Sequence, residues 1–147
     1  MFARLLTSLL APSPQSLPDP EARLALAALL VRLARADALY TEAEALRIDR
    51  VLAARHGLSP FEAAALRAQA EILEAEAPDT VRFTRALKSA VPLEDRKGLM
   101  RALWSVALAD GTRDAEEDAL IRLVANLLGI TDRDSAFARQ SVEKDPS

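Results

Sequence analysis

Two stretches of this chain carry carboxylates at a spacing that could do chemistry. The first reads Ala36-Asp37-Ala38-Leu39-Tyr40-Thr41-Glu42-Ala43-Glu44, the second Ala109-Asp110-Gly111-Thr112-Arg113-Asp114-Ala115-Glu116-Glu117. In each, Ala-Asp follows an apolar run and a Glu comes seven residues after the Asp. As hard oxygen donors, Asp37, Glu44, Asp110 and Glu117 could converge on Ca²⁺ or Mg²⁺. The same residues admit a reading with no ligand. Thr41…Glu44 and Asp114…Glu117 both match the capping box, in which cap and third helical residue bond reciprocally. Asp37 and Asp110 could then accept hydrogen bonds from the following turn. A Glu engaged in a cap has less capacity left for a metal, so the two readings compete. Either one must offset a cost, because a carboxylate at a helix C-terminus opposes the dipole by a few tenths to about 1 kcal/mol.

Other chemistry finds little support. The chain has no Cys and one His, which removes disulfides and thiolate sites and makes zinc a poor fit. His56 precedes a Gly, where an imidazolium suits a helix C-terminus. Trp104 lies in an apolar run and is expected in the core. Arg82, Arg85 and Lys88 recur at three-residue steps, the pattern of a solvated face. There is no Gly-rich phosphate loop and no nucleophile with an obvious His partner, so no enzyme is expected. With 22 acidic against 19 basic residues, a net charge of −3 and 4% aromatics, the chain lacks the basic stripe and stacking rings of a nucleic-acid binder.

The elements that must position the acidic stretches are helices. The chain is 147 residues long, one domain's worth, and half hydrophobic, dominated by Ala and Leu, with only 4 Gly. No segment alternates with period two, so the expected class is all-α, a single compact domain of seven to eight helices. The first is expected over Phe2–Leu10, as an amphipathic helix rather than a secretory signal, since the Pro-rich stretch Ala11–Pro20 follows instead of a cleavage site. Asp19-Pro20 opens the second, which runs to about Ala36. Thr41–Glu44 opens the third, ending at Gly57 as a left-handed cap. Ser59-Pro60-Phe61-Glu62, another capping box, opens the fourth. A fifth starts at Asp79-Thr80 and a sixth at Pro92, the latter ending near Asp110. Asp114 caps the seventh, which ends at Gly129. Thr131-Asp132 opens a short last helix, and Val142–Ser147 is expected to fray. The longest clean apolar run, Leu24–Val31, is far short of the roughly 20 residues that span a bilayer.

The second and third helices superpose on the sixth and seventh. Leu30 falls on Leu103, Ala36 on Ala109, Asp37 on Asp110, Glu44 on Glu117 and Ile48 on Ile121, all at an offset of 73 residues. A one-residue slip then aligns Gly57-Leu58-Ser59 with Gly129-Ile130-Thr131. The domain divides accordingly into an N-terminal helix and linker (1–18), a first repeat core (19–59), connecting helices (60–91), a second repeat core (92–131) and a C-terminal helix and tail (132–147). Leu24–Ala34 and Leu99–Ala109 are apolar on nearly every face, as buried central helices are. They are expected to pack together near a pseudo-two-fold axis, with amphipathic partners outside.

The pattern of an apolar helix ending in Ala-Asp-Gly, then an acidic helix start with Glu seven residues after the Asp, given twice, resembles the tellurite-resistance TerB-like family. That family includes the N-terminal domain of the DjlA membrane co-chaperones. The likeness covers roughly Leu24–Arg139. Asp110-Gly111…Glu117 and Leu103-Trp104-Ser105-Val106-Ala107 fit fully, whereas Ala38 replaces the Gly of the first copy. The resemblance implies an all-helical fold, a cytoplasmic or membrane-peripheral setting and a divalent-cation site in the acidic corners. Two functions follow from it: a non-enzymatic accessory role in tellurite or metal stress, or a protein-interaction and self-association domain near a membrane. The partner protein and any homo-oligomer stay open at this point.

Overall fold

The computed structural model describes residues 19–36, 40–76, 84, 88, 93–109 and 115–144. Among them are six helices and no strand: α1 (Asp19–Ala34), α2 (Glu42–His56), α3 (Pro60–Glu76), α4 (Leu93–Ala107), α5 (Ala115–Leu127) and α6 (Asp132–Lys144). The chain is thus one all-α helical domain, with six helices described where seven to eight were expected. The expected helix over Phe2–Leu10 lies outside the described residues. So does most of the one expected from Asp79, although Thr84 and Lys88 are helical, Thr84 buried and Lys88 exposed.

Local chemistry accounts for the helix ends. Thr41, with φ −86° and ψ 159°, is the N-cap of α2. Its Oγ1 accepts from the Glu44 N–H at 3.1 Å, and Glu44 Oε1 accepts from the Thr41 N–H at 3.0 Å. Ser59 and Glu62 make the same reciprocal pair at the start of α3, at 3.1 and 2.9 Å. At α6, Thr131 Oγ1 accepts from the Asp134 N–H at 3.1 Å. Gly57 and Gly129 both adopt positive φ, 65° and 75°, a conformation that costs a residue with a Cβ. Beyond them the Leu58 and Ile130 N–H groups reach back to the Ala53 and Ala125 carbonyls at 3.0 and 2.8 Å, the Schellman closure.

One helix end departs from expectation. Instead of fraying from Val142, α6 continues to Lys144. Val142 packs against the core, and Arg139 pairs with Glu143 one turn on, Nε to Oε1 at 3.6 Å. Together they hold the last turn.

The core is centred on α1, where every residue of Leu24–Val31 is at most 2% exposed. Burying each Leu there is worth about 1.5–3 kcal/mol. Leu99, Met100, Leu103, Trp104 and Val106 give α4 its buried face, but Arg101 is exposed, so α4 is open on one side. α1 and α4 do pack against each other, yet each packs more extensively on the third helix of its own half, α1 on α3 and α4 on α6. α2 and α5 flank these pairs, and the arrangement α1–α2–α3 is repeated in kind by α4–α5–α6. Ile48 and Ile121, like Leu30 and Leu103, are buried at matched positions.

Candidate functional site

Each acidic corner leaves its apolar helix through the same turn. In the first, Arg35 N–H donates to the Val31 carbonyl at 2.9 Å and Ala36 N–H to Leu33 at 3.1 Å. In the second, Leu108 N–H donates to Trp104 at 3.0 Å and Ala109 N–H to Val106 at 3.2 Å. These are the same bonds displaced by 73 residues, and they tighten the last turn of α1 and of α4 alike. Asp37 and Asp110, which follow directly, lie outside the described residues, as do Ala38, Gly111 and Asp114.

Glu44 and Glu117 are described, in the first turns of α2 and α5. Both are buried, at 1% and 2% exposure, which is unusual for a carboxylate. Glu44 makes the capping box expected of it, and its Oε1 also accepts from the Thr41 hydroxyl at 3.1 Å. The second expected box involves Asp114 and so falls outside the described residues. Among the described residues, no three His, Asp or Glu gather as a group that could hold a metal. The oxygens of Glu44 and Glu117 are of the hard type that Ca²⁺ and Mg²⁺ take.

Around the first corner the structure adds a polar network whose partners are far apart in sequence. Tyr40 donates its hydroxyl to Glu71 Oε2 at 2.8 Å, and Arg67 Nη1 bonds the same oxygen at 3.0 Å. Arg67 Nε also bonds Asp49 Oδ1 at 2.6 Å, tying α3 to α2. Glu74 receives Arg35 at 2.6 Å and Arg32 at 3.2 Å, tying α3 to α1. Burial, then the Glu71 bond and charge, push the Tyr40 phenol up to about 12. The bond to Asp49 holds Arg67 above the ordinary guanidinium value. The Arg67–Glu71 spacing of one turn was visible in the sequence as a helical pair. Nothing local pointed to Asp49, Tyr40 or Glu74.

The remaining candidates resolve simply. Trp104 is in the core at 5% exposure, with Nε1 donating to Ser135 Oγ at 3.2 Å. At the end of α2, burial, and then the charges of Arg23 and Arg55, push the pKa of His56 below 6.5, which disfavours the imidazolium there.

Residues 23–140 match the sequence profile of the family described as tellurite resistance protein TerB. No curated protein and no solved structure matches the chain at a significant level.

Proposed function

The chain belongs to the TerB family, and from that premise we propose that it is a non-enzymatic accessory protein of the tellurite or metal stress response, acting in the cytoplasm. Its two acidic corners bind a divalent cation, Ca²⁺ or Mg²⁺, through Asp37, Glu44, Asp110 and Glu117. The observation that supports this is the matched burial of Glu44 and Glu117 at equivalent places in the two halves. Each half thus carries, at the same place, a carboxylate with the hard oxygen donors that these cations take. Calorimetric titration of the full chain with Ca²⁺ and Mg²⁺ tests it. Binding that is lost in Asp110→Asn is the expected result, and no heat at millimolar metal overturns it.

A second reading, a protein-interaction or self-association domain like that of the DjlA co-chaperones, is favoured by one observation. Phe61 is 84% exposed at the start of α3, and Leu46 on α2 and Ile72 on α3 are exposed as well. A partner that covered these side chains would take their apolar surface out of water. No helix among the described residues is long and apolar enough to cross a membrane. Sedimentation of the parent and Phe61→Ser tests self-association. Identical monomers would remove it.

A further inference from the structure

The two halves of the fold differ where a cavity lies in the second. In the first half, Arg67 of α3 pairs with Asp49 of α2 at 2.6 Å, closing the junction between these helices. The 73-residue offset that matches α2 to α5 places Arg122 where Asp49 stands. The shared caps at Ser59 and Thr131 fix the match of α3 to α6 at 72, which places Arg139 where Arg67 stands. An ion pair in one half is therefore two guanidiniums in the other. Both arginines line a cavity of about 340 Å³ between α4, α5 and α6, together with Trp104, Ser135, Asp118 and Asp132.

Three further differences fall on the same cavity. Val31, Ala45 and Ala63 of the first half correspond to Trp104, Asp118 and Ser135 of the second. Apolar or small groups have given way to polar groups and an indole. The Arg139 guanidinium lies 5.7 Å from the Trp104 ring centroid, and its ion pair with Glu143, at 3.6 Å, is looser than the Arg67–Asp49 contact. The volume lies within the range of small-molecule sites.

We propose that this cavity binds a small zwitterion of the amino-acid type. Its carboxylate lies with Arg122 and Arg139, in the role that the Asp49 side chain plays beside Arg67, and its ammonium is met by Asp118 and Asp132. The lining carries two charges of each sign, which selects against polyanions such as nucleotides and against simple diamines. Neither Glu44 nor Glu117 lines this cavity, and binding here does not require a cation at the acidic corners.

The test follows the indole N–H resonance of Trp104 in the full chain, the only Trp in the sequence. γ-Aminobutyrate at millimolar concentration should shift it saturably. Butyrate should do so more weakly, and putrescine should not. Arg122→Asp rebuilds the ion pair of the first half, so it should raise the melting temperature and abolish the shift. Arg122→Gln, which removes the charge without adding one, should weaken binding by about tenfold, as expected on losing a charge-assisted hydrogen bond. No saturable shift in the parent would overturn the proposal. So would an equal response to putrescine, or binding unchanged in both Arg122 variants.

Discussion

The Tyr40 hydroxyl donates to Glu71 Oε2 at 2.8 Å, so a residue within the first acidic corner is fastened to the C-terminal half of α3. The phenol is held protonated by burial and by the carboxylate it bonds. Tyr40 is the only Tyr, so its ionisation can be followed without interference. Tyrosinate absorbance should appear near 12 in the folded chain and near 10.0 in denaturant. Because the folded value is the higher, the phenol's contribution to stability is complete below about 10 and fades as the pH rises towards 12. Glu71→Gln should lower the midpoint. A native midpoint at the ordinary value would show that the contact does not form in solution.

The matched core positions make a second prediction. Leu30 and Leu103 are 0% and 1% exposed on α1 and α4. Replacing either by Ala should cost about 2–5 kcal/mol, the lost transfer energy plus the cavity left behind. Denaturant melts of both variants would check this. A change of under 1 kcal/mol in either would mean that its half repacks freely around the gap.

The glutamates of the corners separate cap from metal. With EDTA present, Thr41→Ala should destabilise by roughly 1 kcal/mol, because the Glu44 N–H loses its acceptor. Glu44→Gln and Glu117→Gln should be nearly silent if these residues only cap, since Gln can return the same hydrogen bond. If they ligate a cation, both should lose the rise in melting temperature that excess Ca²⁺ gives the parent. Thermal melts of the variants with EDTA and with Ca²⁺ distinguish the outcomes. Curves that are identical and indifferent to metal would leave the corners as structural caps.

His56 supplies the acid-side prediction. Its folded pKa lies below 6.5, so the unfolded chain takes up a proton first as the pH falls. Its share of the stability is intact above about 6.5 and declines below it, until the folded ring protonates too. His56→Gln should flatten the slope of stability against pH in that window. An unchanged slope would assign the acid sensitivity to other groups.

What the sequence made legible was local. The capping boxes at Thr41 and Ser59 and the glycine ends at Gly57 and Gly129 each involve residues within one turn of one another, so spacing alone revealed them. The apolar character of Leu24–Val31 likewise announced a buried helix. The place of α3 and α6 in the repeat was not legible. Their likeness lies in a shared cap, in Arg67–Glu71 against Arg139–Glu143, and in burial at Ala63 and Ser135, while most of their residues differ. The pairing of Arg67 with Asp49, or of Arg32 and Arg35 with Glu74, depends on how helices cross, and no local pattern encodes that. For the acidic corners, residue type and spacing identified the carboxylates, but a cap and a cation draw on the same Glu.

The division of aromatic side chains between the halves has a practical consequence. Tyr40 lies against α3 in the first half and Trp104 against α6 in the second, and each is the sole residue of its type. The molecule therefore carries a separate optical reporter in each half. If α1 and α4 bind the halves into one cooperative unit, tyrosine absorbance and tryptophan emission will trace a single denaturation curve. Two curves with different midpoints would reveal that one half can melt while the other stands, and would identify which.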